Sequence, residues 1–328
     1  MTIPSSSLER LREQRASGMQ RLGPAAIFDI RGPGALTCLQ GLLTNDLVKP
    51  GDGALVYGAL LTPKGMIVAD GWAFRISAER LVFVTQPAGH DGIAEIFRRT
   101  MPPRLAKVTD QSADWEALWL YGPGVTARIE ALGLAVPASD SGVCVAQLTG
   151  EREILQGRPT AKAPFQSVII GPKAAVGSLH ATLTAAGITS GASEEVEAFR
   201  ILAGWPSLGA EILDKTLPQE VRFDENDGVS YTKGCYTGQE TVARLHFRGH
   251  ANRELRGLVW NDAPGVEERA IIGVEGRDGG RVTSLLRLGE QVIGLGLVRR
   301  EIEIDTAVLA AGAQARVVAL PFAPSLTA

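Results

Sequence analysis

Cysteine is scarce in this chain. Its three cysteines, Cys38, Cys144 and Cys235, lie far apart among 328 residues, and no Cys-x-x-Cys pair occurs. An odd number of scattered thiols argues against a disulfide framework and fits a reducing compartment. The chain alone also cannot supply the four thiolates of a structural zinc or iron–sulfur site.

Aromatic residues and net charge are low as well. Aromatic side chains make up 5% of the chain, which argues against a stacking surface for single-stranded nucleic acid. A net charge of −3 gives no global reason to bind nucleic acid or an anionic membrane. A membrane-spanning run is missing, because Lys64 and Asp70 interrupt the most apolar stretch, residues 53–74. Residues 1–22 lack the apolar core of a secretory signal, so we expect a soluble, cytoplasmic protein.

The chain contains an internal repeat. Residues 25–43 and 116–134 each read as an apolar strand, a Gly-Pro-Gly turn and an amphipathic helix. Each copy continues with further strands and a second helix. The order β-α-β-β-α-β predicts two ferredoxin-like units packed about a pseudo-twofold axis. The alternative is a chance recurrence of Gly-Pro-Gly.

The last part of the chain has a different pattern. From about Glu254 onward, short apolar strands alternate with glycine turns, which predicts an antiparallel barrel. The whole chain is therefore predicted to be α+β. Residues 1–250 would hold two α+β units, at about 1–110 and 111–250 as sequence repeats, and residues 251–328 a β-barrel domain. A further helix is expected over residues 193–204, with Ser193 as its N-cap.

Residues 231–240, Tyr-Thr-Lys-Gly-Cys-Tyr-Thr-Gly-Gln-Glu, place Cys235 in a glycine-flanked turn. Thr237 and Glu240 have the spacing of a capping box, so we expect a helix to begin here. A helix N-terminus and the nearby Lys233 both favour a thiolate, which makes Cys235 a candidate reactive thiol. The alternative is a structural cysteine that fills a turn.

The following segment is basic. Residues 243–256 hold four arginines against one acid, Glu254, together with His246 and His250. The segment is either an anion-binding patch, for a carboxylate or phosphates, or a solvated helix face that continues into a strand. Neither histidine has a carboxylate partner at ligand spacing, so no metal site is expected.

Residues 233–240, Lys-Gly-Cys-Tyr-Thr-Gly-Gln-Glu, resemble the signature of the YgfZ folate-binding family. That family is related to the T-protein (aminomethyltransferase) of the glycine cleavage system. Other stretches are similar to further blocks of the family, namely residues 39–47, 57–70, 199–212, 217–220, 248–255 and 279–284. The resemblance implies a three-domain ring, made of two interleaved α+β domains and a barrel, with tetrahydrofolate, or another reduced folate, in its central opening.

The resemblance also implies roles for individual residues. Cys235 is implied to be the functional thiol, and Lys233 its catalytic neighbour. The implied cofactor-binding residues are Asp70, Gln166, Arg200 and Gln239. Asp70 is expected near the reactive nitrogens of the folate. Arg200, on the helix of the middle block, is expected to face it.

Two positions depart from the T-protein pattern. Ala69 replaces the first of two adjacent aspartates, and Gln166 stands in place of a pterin-binding glutamate. An amide accepts and donates hydrogen bonds but cannot form a charge-assisted pair. By this comparison the machinery for aminomethyl transfer is incomplete.

The resemblance implies an accessory protein for the synthesis or repair of iron–sulfur clusters in client enzymes. Its partners would be a reduced folate and the iron–sulfur clients or their assembly machinery, with neither nucleic acid nor membrane. One alternative is an aminomethyltransferase-like one-carbon transferase. Another is a folate-binding module in which Cys235 is only structural. Whether the protein is an enzyme stays open at this point.

Overall fold

The structure is a computed structural model. It describes residues 2–3, 13–14, 16–148, 152–261, 267–274, 276–288, 291–310 and 312–322.

The first repeat supplies five strands and two helices. Two strands precede it, β1 (Thr2–Ile3) and β2 (Met19–Gly23). The elements of the repeat are β3 (Ala26–Arg31), α1 (Ala35–Gln40), β4 (Ala54–Leu61), β5 (Ile67–Ser77), β6 (Arg80–Thr85), α2 (His90–Thr100) and β7 (Lys107–Asp110). A short 3-10 helix, Pro87–Gly89, leads into α2.

The second repeat has the same order of elements. They are β8 (Trp115–Tyr121), α3 (Val125–Ala131), β9 (Gly142–Leu148), β10 (Arg152–Arg158), β11 (Ser167–Pro172), α4 (Lys173–Ala185) and β12 (Thr189–Ser190). Next come α5 (Ser193–Ala203), a 3-10 helix (Pro218–Val221) and α6 (Gln239–Arg248). The start of α5 differs from the expectation by one residue, because Ala192 is the N-cap and Ser193 the first helical residue.

The two repeats form one eleven-stranded sheet. Counted outward from its centre, the strands of the two halves follow nearly the same order. Its order is β12-β2-β8-β11-β10-β9-β4-β5-β6-β3-β7. Within each half, four strands have the ferredoxin-like order, and β4 and β9 meet at the centre. The halves are joined there by hydrogen bonds from the Leu55 N–H to the Ser141 carbonyl and from the Val143 N–H to the Gly53 carbonyl, both 2.7 Å. The N-terminal strand β2 lies in the second half, so the predicted duplication and interleaving are confirmed.

Glycine is required at the turn between β3 and α1. Gly32 has φ +139°, and a Cβ at this position would overlap the Leu105 carbonyl. In the second repeat Gly122 has φ +83°. Gly34 and Gly124 are the helix N-caps, so each proline precedes its N-cap rather than occupying the first helical position.

The predicted C-terminal barrel is confirmed. Its strands are β13 (Arg253–Trp260), β14 (Ile271–Val274), β15 (Arg277–Leu288), β16 (Gln291–Arg299), β17 (Ala307–Ala310) and β18 (Ala313–Val318). They pair in the order β15-β14-β17-β18-β13-β16, and β16 pairs back with β15, so the six antiparallel strands close. The sequence patterns missed β17, although its residues alternate between exposed and buried.

Both faces of the large sheet are covered. All eight residues of β4 are buried, and they divide between two cores. Val56 and Leu60 pack with α1 and α2, whereas Leu55 and Tyr57 pack with α5 and the barrel. The face of the sheet that holds Leu55 and Tyr57 therefore lies where the sheet, helix α5 and the barrel meet. Among the described residues, no helix is long and apolar enough to cross a membrane.

Candidate functional site

A cavity of about 370 Å³ opens on the face of the sheet that packs against α5 and the barrel. It lies between strands β5, β6 and β8 and helix α5. Its walls are rich in aromatic side chains: Trp72, Trp119, Tyr121, Phe165 and Trp205. Three of the chain's five tryptophans therefore converge on one site, although aromatic residues are sparse along the sequence.

Asp70, on β5, is the buried carboxylate of this cavity. Its Oδ2 accepts a hydrogen bond from the Tyr57 hydroxyl at 2.9 Å. Its Oδ1 is buried and has no partner among the described residues. Burial raises the pKa of Asp70 to about 6, and the Tyr57 hydrogen bond opposes the rise. The free oxygen can accept an N–H from a ligand or, when protonated, donate to one.

Tyr57 is held by the rings around it. Its ring centroid lies 5.0 Å from that of Trp72, 4.7 Å from Trp205 and 5.2 Å from Phe223. Burial, and then the neighbouring Asp70, raise the pKa of the Tyr57 hydroxyl, so it stays a hydrogen-bond donor. The aromatic packing thus fixes both the phenol and the carboxylate that it orients.

Arg200, on α5, also lines the cavity, but its hydrogen bonds run into the protein. Nη1 donates to the Trp205 carbonyl at 2.6 Å and to Glu211 at 2.8 Å. Nη2 donates to Glu197 and to the Ser284 hydroxyl, and Nε donates to Glu197. All five N–H groups are engaged, so Arg200 ties α5 to the barrel strand β15. Its implied contact with a cofactor stays a prediction.

The two glutamines lie elsewhere. Gln166 lines a separate cavity of about 340 Å³, together with Lys162 and Phe199. Gln239 is the half-buried first residue of α6. The structure thus places Asp70 and Arg200 at one cavity and leaves the glutamines outside its lining; their implied roles stay predictions.

Lys233 lies at the centre of a hydrogen-bonded cage. Its ammonium donates to the carbonyls of Gln40 at 2.6 Å, Leu43 at 2.7 Å and Asn45 at 2.8 Å. Burial lowers the pKa of Lys233 to about 8, and Asp46 opposes this. All three N–H groups are used, so as placed Lys233 has none left for a thiolate. It anchors the motif loop to the end of α1, and its implied catalytic role stays a prediction.

The rest of the motif displays Cys235 outward. Cys235 is exposed, and the Thr237 N–H donates to the Gly41 carbonyl at 3.0 Å. Gly238 has φ +82°, and a Cβ there would lie 2.6 Å from the Thr62 carbonyl. The helix begins as predicted, but the capping box is wrong. Gly238 is the N-cap, with no side-chain cap. The close approach of the β4–β5 turn demands a glycine there and so displaces the threonine cap.

The other two thiols are less accessible. Cys38 is half-buried on α1 and Cys144 is half-buried on β9. Burial raises the pKa of both thiols. Cys235 is thus the one exposed cysteine of the three. Among the described residues, no group of histidine, cysteine, aspartate and glutamate side chains is placed to hold a metal ion.

Sequence reasoning missed the aromatic residues that shape the cavity. Tyr57 and Trp72 carried a signal, because both lie in or beside the block at residues 57–70. Trp205 likewise lies in the block at residues 199–212. Trp119 carried no such signal, since nothing local shows that strand β8 lines the same cavity.

Comparisons with known proteins match this architecture. Residues 13–142 match the family described as "GCVT N-terminal domain". A "tRNA-modifying protein YgfZ" from Serratia proteamaculans is 29% identical over 286 residues, 83% of this chain and 81% of that protein. A protein of the same name from Yersinia pestis is 35% identical over 105 residues, 31% of this chain and 32% of that protein.

A solved structure extends the match to nearly the whole fold. The glycine cleavage system aminomethyltransferase T from Bartonella henselae superposes with a TM-score of 0.80 and 19% sequence identity, over 98% of this chain and 91% of that one. The chain is thus similar over most of its length to a protein named YgfZ, and it has the fold of that aminomethyltransferase.

Proposed function

We propose that the protein binds a reduced folate, tetrahydrofolate, in the aromatic cavity at Asp70. We further propose that it serves the synthesis or repair of iron–sulfur clusters in client proteins of the cytoplasm, through the thiol of Cys235. The observation that carries the proposal is the buried Asp70 in the wall of the aromatic cavity, whose Oδ1 has no partner among the described residues. The relatives named YgfZ support it.

The residues of the cavity fit a reduced folate. Flat rings pack well against walls such as Trp72 and Trp205, whose planes lie 11° apart. The unpartnered Oδ1 of Asp70 matches a ring or bridge N–H, and such a bond would remove the cost of a buried, unsatisfied acceptor. A bound reduced folate supplies nitrogens that carry one-carbon units. Asp70 would orient such a nitrogen, and Tyr57 would hold the carboxylate in place.

Cys235 acts at a different place from the cavity walls. The thiol is exposed on a loop that Lys233 and the Gly238 turn hold rigidly. An exposed, fixed thiol is accessible to a cluster, a persulfide or a mixed disulfide that another protein presents. The chain has too few cysteines to hold a cluster by itself, so we propose that it services clusters on partners.

A one-carbon transferase remains the second candidate function. The superposition with the aminomethyltransferase favours it at the level of the fold. Ala69, where the T-protein pattern has an aspartate, disfavours it. Turnover with an aminomethylated lipoyl carrier protein tests it directly, and measurable product would make this function the better account.

The main experiment is calorimetric titration with tetrahydrofolate. Wild type should bind, and its melting temperature should rise by mass action. Asp70→Ala should weaken binding, whereas Asp214→Ala, at an exposed turn, should not. Cys235→Ser should bind folate normally yet fail to support iron–sulfur enzymes in cells that lack the wild-type protein. Normal folate binding with full cellular activity of the serine variant would leave only a passive folate module.

A further inference from the structure

A second cavity, of about 630 Å³, opens on the same face of the sheet as the aromatic cavity at Asp70. Leu55 and Tyr57 of β4 and Trp72 of β5 line it. Trp72 also lines the aromatic cavity, so the two cavities are neighbours that share one indole side chain. We call the second one the β4 cavity.

The walls of the β4 cavity are held in place by hydrogen bonds within the chain. Besides the two strands, residues 45–50 and 226–232 contribute to the lining. Asn45 joins these parts, because its Nδ2 donates to the Tyr57 carbonyl at 2.9 Å and to the Asp227 carbonyl at 2.6 Å. A concave site that is already formed in the free protein is typical of small-molecule sites.

Asn226 places an unused hydrogen-bond donor in this wall. The residue is only 4% exposed, and its Nδ2 has no partner among the described residues. A buried N–H group without an acceptor costs free energy, and most such groups in proteins are paired. A carbonyl oxygen of a ligand would remove that cost. Asn226 therefore favours an occupant that brings an acceptor oxygen into the cavity.

The charges of the wall favour one negative group on the occupant. Each acid in the wall has a cation of the chain beside it. Asp227 pairs with Lys162 at 2.7 Å, and Asp46 lies close enough to the Lys233 ammonium to oppose the lowering of its pKa by burial. Lys49 is exposed and forms no ion pair with any described residue. One positive charge of the lining is thus left without a counterpart.

Aromatic side chains in the lining favour a flat, apolar body. Tyr57 and Trp72 lie side by side with ring centroids 5.0 Å apart, and Tyr231 lines the cavity as well. Tyr231 is itself fixed by stacking on His246, with centroids 3.6 Å apart. Rings that are already held by their neighbours pack against a planar ligand with little further loss of entropy.

We propose that the β4 cavity is a second small-molecule site, for a planar ring that carries an amide carbonyl and a single carboxylate. The ring packs against Tyr57 and Trp72, the amide oxygen accepts from Asn226 Nδ2, and the carboxylate lies at Lys49. This ligand is a different molecule from the folate of the proposed function. Because the benzoylglutamate half of a folate carries the same groups, the experiment has to distinguish the two sources.

The probe is hippurate (benzoylglycine), which combines the ring, the amide and the carboxylate. A molecule of this size should bind with a Kd on the order of 1 mM. Binding is followed by NMR through the indole N–H signals of the isotope-labelled full chain. Hippurate in the β4 cavity should shift the signal of Trp72. It should leave that of Trp119 in place, because Trp119 lines the aromatic cavity and not the β4 cavity.

Two variants separate the contacts of the probe. Asn226→Leu removes the donor at similar side-chain volume and should raise the Kd of hippurate about tenfold. It should not affect phenylbutyrate, which keeps the ring and the carboxylate but has no amide. Lys49→Ala should raise the Kd of both acids about threefold and leave the uncharged methyl ester of hippurate unaffected. A merely structural defect would weaken all three probes alike.

The matched controls lie outside the β4 cavity. Lys64→Ala removes an equally exposed lysine at the β4–β5 turn and should bind hippurate like wild type. Asp70→Ala, in the aromatic cavity, should also leave the Kd of hippurate unchanged. Saturating tetrahydrofolate should not displace hippurate. Lys49→Ala tests the proposal even if Asn226→Leu does not fold, since Lys49 is exposed.

The proposal is overturned if hippurate leaves the Trp72 signal in place, or if it shifts the Trp119 signal as much. It is also overturned if Lys64→Ala weakens binding as much as Lys49→Ala does. Displacement of hippurate by tetrahydrofolate would show that the folate itself fills the β4 cavity, and would overturn a separate ligand. A chain that fails to bind folate but passes the hippurate tests would lose the proposed function and keep this site.

Discussion

The ammonium of Lys233 donates to the backbone carbonyl of Gln40 at 2.6 Å, across 193 residues of sequence. With the carbonyls of Leu43 and Asn45 it fastens the motif loop to the end of α1. The loop that displays Cys235 is thus positioned by a buried cation rather than by its own turn.

Lys233→Met should therefore loosen this loop. Three buried carbonyls would lose their donor, which should lower the free energy of unfolding by about 2–4 kcal/mol. Urea unfolding measures the loss, and hydrogen exchange should show faster exchange at residues 233–238. The control is Lys64→Met, at an exposed turn, which should change stability by less than about 0.5 kcal/mol. Equal stability of the two variants would contradict an anchoring role.

Asp70→Asn should change the pH dependence of stability. Burial raises the pKa of Asp70 from its usual 3.8 to about 6, so the folded state holds this proton more tightly than the unfolded state. Its contribution to stability is fully present below about pH 4 and is lost as the pH rises through about 6. At pH 8 the asparagine variant should be more stable than wild type by as much as about 3 kcal/mol.

Thermal unfolding at pH 4 and pH 8 checks the Asp70 prediction. The advantage of the asparagine variant should shrink at pH 4, where the wild-type carboxyl is protonated in the folded state. Asp214→Asn, at an exposed turn, is the matched substitution. A pH-independent difference between Asp70→Asn and wild type would argue against a buried, titrating carboxylate.

Arg200→Met should destabilise the protein rather than act only on a ligand. It leaves Glu211, which is 0% exposed, without its cation, and removal of one partner from a buried pair typically costs about 3–5 kcal/mol. The double variant with Glu211→Met should recover much of that loss. Arg98→Met, from an exposed ion pair with Glu95, should lower the stability far less, because water screens the pair. Denaturant unfolding of wild type and of the three variants measures these differences in the free energy of unfolding.

Cys235 should be the first thiol to react with an alkylating reagent at neutral pH. It is exposed, whereas burial raises the pKa of Cys38 and Cys144 and lowers their thiolate fractions. Mass spectrometry of peptides after timed labelling gives the order. A rate for Cys38 equal to that for Cys235 would remove the reactive-thiol mechanism.

The duplication, the barrel and most helices were predictable because their signals are local. The Gly-Pro-Gly turns and the continuous apolar run of β4 are visible within a few residues. β17 was missed because four residues are too short a pattern to stand out from a loop. The capping box failed for a different reason: the partner that demands glycine at position 238 comes from the β4–β5 turn. The division of the chain at about residue 250 stays a prediction.

The sequence by itself determined most of the order of elements and singled out Cys235 in its glycine-flanked turn, since periodicity and turn chemistry act over short distances. Only the tertiary structure decided the chemistry of the site. It places three tryptophans around one cavity and leaves Asp70 Oδ1 without a partner among the described residues. It also engages every side-chain N–H of Arg200 and Lys233 with acceptors of the chain itself. These features depend on segments far apart along the chain, and the partner of a buried polar group is chosen by which segments the fold brings within hydrogen-bond distance.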